Sequence, residues 1–187
     1  MKKGKIFIIS GPSGVGKSTI IKNLLVNKKL NLFYSISMTT RSKRDLEIDG
    51  QHYWFVDKKT FQDAIKNDDL LEWAEYAGNY YGTPKAIIYK KLEEGFNVLL
   101  EIEVQGALEI MKKFAKDVIS IFILPKDIET IHQRLQDRGT DSNETITKRI
   151  SIASGELLHK DKYDYQVIND DLKKTIKAIR KIIKRAK

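Results

Sequence analysis

The chain predicts an α/β fold, three layers with helices on both faces of a parallel five-stranded core sheet, which a glycine-rich loop after the first strand assigns to the P-loop NTPase type, and three observations carry that expectation. Short apolar runs alternate with stretches of helical periodicity along most of the 187 residues, the pattern of a parallel sheet covered on both sides. The first apolar run leads straight into Gly11-Pro12-Ser13-Gly14-Val15-Gly16-Lys17-Ser18, a full match to G-x-x-x-x-G-K-[ST]. One segment, from about Ser37 to Gly82, breaks the alternation and reads as a small α+β insertion.

Taken in order, Ile6-Phe7-Ile8-Ile9 is a short buried strand, and Ile20, Ile21, Leu24 and Leu25 give the next segment one apolar face. The glycine-rich loop therefore lies between a strand and a helix, as a phosphate cradle requires. Its glycines let successive N–H groups turn inward toward a β-phosphate, and the helix N-terminus adds partial positive charge. Lys17 reaches the β and γ oxygens, the Ser18 hydroxyl sits on Mg2+, and Thr19 stands behind it. Gly11 through Thr19 are expected to bind a nucleoside triphosphate.

The second strand is expected at Tyr34-Ser35-Ile36-Ser37, the third from Asn97 to Glu103, the fourth from Val118 to Leu124 and the last at Gln166-Val167-Ile168. Thr83-Pro84 caps and starts a helix that Gly95 ends, and another helix runs from about Val104 to Phe114. A third follows Pro125 through Ile128, Ile131 and Leu135 and stops at Gly139. Asp141-x-x-Glu144 then has the form of a capping box. Inside the insertion, Asp49-Gly50 signals a hairpin turn between short strands, with Tyr53-Trp54-Phe55-Val56 after it. Phe61, Ala64 and Ile65 mark a short helix and Gly78-Asn79 a second turn.

Composition narrows the class. Hydrophobic residues at 41% and charged residues at 32% describe a folded, soluble domain. The apolar run after Met1-Lys2-Lys3-Gly4 ends at Ile9, too short for a signal peptide or a membrane span. The absence of cysteine excludes disulfides and thiolate chemistry and accords with a reducing cytosol, so a cytoplasmic protein without membrane attachment is expected. The net charge is +9, but eight basic and no acidic residues fall between Leu172 and Lys187, which leaves the rest nearly neutral. There Leu172, Ile176, Ile179, Ile182 and Ile183 recur at helical spacing, so the tail reads as a docked amphipathic helix with a solvated basic back rather than a nucleic-acid surface.

The insertion is dense in groups suited to a phosphorylated base. Ser37, Arg41 and Arg44 follow a strand end, Tyr53, Tyr80 and Tyr81 supply hydroxyls, and the two arginines can fork onto one phosphate. Glu72, between Leu71 and Trp73, is by default a solvated surface carboxylate. Facing a pocket instead, it would accept two parallel N–H bonds, the donor pattern of guanine N1–H and N2–H2 that adenine lacks. His52, His132 and His159 are scattered, in no metal-ligand or triad arrangement, and read as surface or packing residues.

With the loop and insertion come Glu101-Ile102-Glu103-Val104-Gln105-Gly106, Arg138-Gly139-Thr140 and Asn169-Asp170-Asp171. Together they resemble the guanylate kinase family, in order and spacing, from about Lys5 to Ile183. The resemblance implies one domain over 4–184 with a core (1–36, 91–126 and 158–187), an α+β GMP-binding insertion (37–90) and a helical lid (127–157). By that likeness Arg41, Arg44, Tyr53 and Tyr81 hold the GMP phosphate, with Ser37 close by. Glu72 and Thr83 read the guanine, helped by Glu103, where the family usually has aspartate. Arg134 and Arg138, with Arg149 on the next helix, match the lid arginines, and Asn169 and Asp170 match the loop beside the adenine of ATP.

The implied reaction moves the γ-phosphoryl group of ATP to GMP, and to dGMP, giving ADP and GDP in guanine nucleotide synthesis and recycling, with Mg2+ as cofactor. Substrates would be its partners, in a monomer or homodimer. The acceptor phosphate has a second pKa of about 6, so it needs no general base. It needs a cage of positive charge that excludes water, which Lys17, Mg2+, Arg41, Arg134, Arg138 and Arg149 could supply once insertion and lid close. Glu101 and Glu103, at the carboxyl end of a strand, are further candidates for Mg2+ through water. Two alternatives stand: a catalytically inactive guanylate-kinase-like module that binds peptides in the same cleft, and a nucleotide kinase for another acceptor.

Overall fold

The computed structural model describes residues 3–76, 78–114, 117–137 and 143–186. In chain order, β1 (Ile6–Ser10) leads through the phosphate loop to α1 (Lys17–Leu25) and β2 (Leu32–Tyr34). The insertion follows with β3 (Met38–Thr39), β4 (Trp54–Phe55), α2 (Lys58–Lys66), β5 (Leu70–Tyr76) and β6 (Asn79–Pro84). Then come α3 (Lys85–Glu93), β7 (Asn97–Glu101), α4 (Val104–Lys113), β8 (Val118–Leu124), α5 (Ile128–Asp137), α6 (Asn143–Leu157), β9 (Tyr165–Ile168) and α7 (Leu172–Arg185).

The larger sheet is parallel, in the order β2-β7-β1-β8-β9. Because side chains alternate along a strand, β1 serves two cores at once. Ile6 and Ile8 pack with Ile88 and Leu92 of α3 and Ala107 and Ile110 of α4. Phe7 and Ile9 pack with Ile20, Ile21 and Leu24 of α1 and with Ile176, Ile179 and Ile183 of α7. The basic tail is therefore a helix docked by its isoleucine face, with Lys173, Lys174, Lys177, Lys181, Lys184 and Arg185 exposed. β7 and β8 flank β1, so the phosphate loop and the end of β7 sit side by side at the carboxyl edge of the sheet, where ligands of such folds bind.

Several elements depart from the expectation. The second strand lies at Leu32–Tyr34, not 34–37: Leu32, Phe33 and Tyr34 pair with Asn97, Val98 and Leu99, and the chain leaves the sheet after Ser35 N–H bonds Leu99 O at 3.0 Å. The third strand stops at Glu101, because Glu103 already occupies the N-cap position of α4. Thr83 lies within β6, which runs on to Pro84, and gives no cap to α3; its hydroxyl is committed elsewhere. Gly50 does turn, with φ +71, but no hairpin results, since β3 and β4 pair in parallel through Met38–Trp54 and Thr39–Phe55. Asp49 accepts the Phe55 N–H at 2.9 Å and folds the loop back on itself.

The smaller sheet, β4-β3-β6-β5, contains the expected hairpin of β5 and β6 around Gly78. It is held to α2 by Phe61, Ala64 and Leu70. α5 and α6 pack through Ile131, Leu135, Ile146 and Ala153. The expected stop at Gly139 and the start of the capping box at Asp141 lie outside the described residues.

Candidate active site

At the phosphate loop, Gly16 has φ +101, and a side chain there would press on Asn169 Nδ2. That amide donates to Val15 O at 2.7 Å, so the loop after β9 is clamped onto the phosphate loop. Arg134 of α5 joins the clamp, donating to Val15 O at 3.0 Å and to Asn169 O at 3.2 Å. Lys17 Nζ bridges Gly11 O (2.5 Å) and Pro12 O (3.2 Å) over the loop. Ser18 Oγ donates to one oxygen of Glu101 and the Tyr34 hydroxyl to the other, each at 3.1 Å. Burial, and then the Glu101 charge, raise the Tyr34 phenol above its ordinary pKa, so it remains a donor.

A cleft of about 740 Å³ opens above this loop. One wall carries Gly14, Gly16, Lys17, Ser18, Arg134, Arg149, Asn169 and Asp170; the other carries Arg41, Arg44, Tyr53 and Tyr81; Glu101 and Glu103 also line it. Two cationic walls thus face each other across one space. Arg138 lies outside the described residues.

On the insertion side, Arg41 lies against the rings of Tyr53 and Phe55, 5.4 and 5.6 Å from their centroids. Its guanidinium binds both oxygens of Glu47 at 2.7 and 2.9 Å. The Glu47 bond raises the Arg41 pKa further. Tyr80, expected to offer a hydroxyl beside Tyr81, points the other way and stacks on Phe61 at 5.5 Å, since successive residues of β6 face opposite sides.

Glu72 is not a solvated carboxylate: it is 5% exposed and accepts the Thr83 hydroxyl at 2.5 Å. Gly106 of α4 makes the room, because a methyl group there would overlap Glu72 Oε2. Burial pushes the Glu72 carboxyl up to about 7, against the pull of the Thr83 hydrogen bond. Ser37, Glu72 and Thr83 are not on the wall of the large cleft. A second hollow of about 480 Å³ shares Tyr76 and Glu103 with it and runs along Ala74 of β5. Since Glu72, Ala74 and Tyr76 alternate onto one face of that strand, Glu103 stands between the cleft and the face that bears Glu72.

Sequence reasoning passed over Glu47, Tyr34 and Glu156 as site residues and quoted Gly106 within a motif without giving it a role. Glu156 of α6 stands beside Glu103 and the Ser13 N–H, and burial and then the Glu103 charge raise its pKa. Each is unremarkable locally: a carboxylate in a charged loop, a tyrosine at a strand end, a glycine in a helix. Only Gly106 carried a signal, as a helix-weakening residue with no turn to serve.

A parallel sheet with a glycine-rich loop at its carboxyl edge, an inserted cationic wall and a helical pair opposite defines a P-loop nucleotide-binding protein. The family profile described as guanylate kinase matches residues 3–186. A guanylate kinase of Malacoplasma penetrans is 49% identical over 183 residues, covering 97% of this chain and 93% of its own. One from Carboxydothermus hydrogenoformans is 45% identical, covering 98% and 89%. The crystal structure of guanylate kinase from Anaplasma phagocytophilum superposes with a TM-score of 0.83 at 33% identity, over 98% of this chain and 86% of that one. The chain belongs to the guanylate kinase family.

Proposed function

We propose that this chain transfers the γ-phosphoryl group of ATP to GMP, and to dGMP, giving ADP and GDP. The observation that carries the reading is the pair of cationic walls across one cleft, with a buried carboxylate behind the insertion wall. On the donor side, residues 11–19 cradle the triphosphate, Lys17 neutralises the β and γ oxygens, and Asn169 and Asp170 border the adenine. On the acceptor side Arg41, Arg44, Tyr53 and Tyr81 hold the GMP phosphate near Ser37, while Glu72, Thr83 and Glu103 read the base. Arg134, Arg138 and Arg149 complete the positive cage when the lid (127–157) and insertion (37–90) close on the core.

The chain's work is positioning and charge neutralisation, because phosphoryl transfer between two phosphates asks little covalent chemistry of side chains. Among the described residues no group of three or more His, Cys, Asp or Glu is assembled to hold a metal. The oxygens present, Ser18 Oγ and the Glu101 carboxylate it touches, suit a hard cation that takes most of its other ligands from phosphate and water. Mg2+ held there would neutralise charge on the donor's β and γ phosphate oxygens; Glu103 is a further candidate through water. Tyr34, bonded to Glu101, fixes that carboxylate's orientation.

Among the described residues no helix is long and apolar enough to cross a membrane. A cytoplasmic place in guanine nucleotide metabolism, as monomer or homodimer, completes the proposal. A peptide-binding module without catalysis has no use for Lys17 or an intact phosphate loop. A coupled ADP-release assay with GMP, dGMP, AMP, UMP and IMP tests the reading: turnover with GMP and dGMP and little with AMP is expected. Equal use of AMP and GMP would remove the base-reading role of Glu72, and no turnover with any acceptor would favour the binding module.

A further inference from the structure

Arg41 has five N–H donors, and its contacts divide them unevenly. Nη1 donates to Glu47 Oε2 at 2.9 Å and to Ser42 O at 2.7 Å, while Nη2 donates to Glu47 Oε1 at 2.7 Å. The donors those contacts do not use, one on Nε and one on Nη2, form a single edge of the planar group, and among the described residues the Tyr81 hydroxyl is the further hydrogen-bonding neighbour of the guanidinium. That edge has the geometry for a bidentate grip on a phosphate. Glu47 is itself anchored: it accepts the Arg44 N–H at 2.9 Å, and its own N–H donates to Arg44 O at 3.0 Å. The Arg41 and Glu47 side chains are only 17% and 15% exposed. One carboxylate therefore ties together the two arginines of the insertion wall, one through its side chain and one through its backbone.

We propose that Glu47 is a positioning residue that holds the Arg41 guanidinium by its far edge, so that the Nε–Nη2 edge is presented to the acceptor phosphate. The proposal rests on the reading that Arg41 grips that phosphate. Burial would raise the Glu47 carboxyl, but the Arg41 guanidinium and the Arg44 N–H bring it below the ordinary carboxylate range, so it is ionised wherever the reaction runs. The rings of Tyr53 and Phe55 restrict the guanidinium plane, and Glu47 sets the remaining freedom, rotation within that plane. Without it Arg41 keeps its charge and loses its aim, at the cost of acceptor binding rather than donor binding.

Steady-state kinetics with GMP and ATP varied separately, and calorimetric titration of GMP, test this on Glu47→Ala, Glu47→Gln, Arg41→Ala and the double variant. Glu47→Ala is expected to raise the KM and Kd for GMP by roughly 10- to 100-fold, the scale of a misplaced positioning group, with the KM for ATP within about 2-fold. Glu47→Gln, which keeps the shape and is the fallback should the alanine variant fold poorly, is expected to fall between. In the Arg41→Ala background, removing Glu47 is expected to add less than about 2-fold, as for residues acting as one unit. GMP binding that is unchanged or tighter in both Glu47 variants would overturn the proposal, since the carboxylate would then be idle or a competitor of the phosphate. An equal effect with or without Arg41 would overturn it too. Should Arg41→Ala weaken GMP while the Glu47 variants do not, only the positioning role falls; an Arg41→Ala enzyme with normal GMP binding would remove the underlying phosphate assignment and the proposal with it.

Discussion

The two walls of the cleft are built on different principles. The wall proposed for the donor is mostly backbone within eight consecutive residues, Gly11 to Ser18, braced from outside by Asn169 and Arg134 through the Val15 carbonyl. The wall proposed for the acceptor is mostly side chains, Arg41, Arg44, Tyr53 and Tyr81 with Glu72 behind them, and Arg41 and Glu72 are placed by another side chain or by a space made elsewhere in the fold. A backbone cradle binds whatever presents phosphate, because N–H groups are the same in every residue. A side-chain wall can select, because its groups differ and its supports adjust them. Triphosphate binding is therefore expected to be robust and acceptor choice sensitive to changes away from the ligand.

The largest effect should come from the lysine of the donor wall. Lys17→Ala is expected to lower the transfer rate roughly 10²- to 10³-fold, the scale for losing one preorganised charge contact in a transition state. GMP affinity by calorimetry should hardly move. Near-normal turnover, or an equal loss of GMP binding, would break the division into two independent walls.

Gly106→Ala tests the acceptor wall through a residue with no polar group to offer. The added methyl overlaps Glu72 Oε2 and is expected to cost about 1–3 kcal/mol in stability, as overpacking does, and to weaken GMP while sparing ATP. Thermal unfolding and the two KM values measure it; unaltered GMP binding would mean that Glu72 can be moved without consequence.

Glu72→Gln sharpens the comparison further, because function and stability should move in opposite directions. GMP binding is expected to weaken by roughly 1.5–3 kcal/mol, the worth of hydrogen bonds to a charged acceptor. The folded carboxyl holds its proton up to about pH 7, against an ordinary value of 4.5. Its burial therefore costs no stability below about pH 4.5, costs progressively more as pH rises toward 7, and costs the full amount above. The variant should accordingly be the more stable protein at pH 8, by an amount on the order of 1 kcal/mol, and lose that advantage at pH 4.5. Wild-type GMP affinity should also fall as pH drops below 7, beyond the phosphate's own titration, which the Gln variant retains. A pH profile identical in both proteins would show that Glu72 does not ionise to bind the base.

The phosphate loop, the order of the major elements, the parallel sheet and the docked basic helix were all legible in one dimension. Their signals lie within a few residues of one another: a glycine spacing, an apolar run, a repeat every three or four positions. The places where reading failed are those where a distant partner outweighs local preference. Tyr34 to Ser37 has the look of a strand, but pairing with β7 draws the strand back to Leu32–Tyr34. Asp49-Gly50 has the look of a hairpin, but β4 lies parallel to β3.

The acceptor wall divides in the same way. Arg41, Arg44, Tyr53 and Glu72 could be named as a set from their chemistry, yet whether Glu72 faces water or the interior was open until Gly106, 34 positions along, was seen to leave it a space. Nor could residue types alone say that Glu47 engages one edge of Arg41, that Tyr80 turns away toward Phe61, or that Glu156 meets Glu103. Sequence alone determines what the backbone does with near neighbours, because conformational preference and periodicity are local. Burial, a shifted proton affinity and the aim of a charged group depend on what the folded chain brings within a few ångströms, and those were decided only in three dimensions.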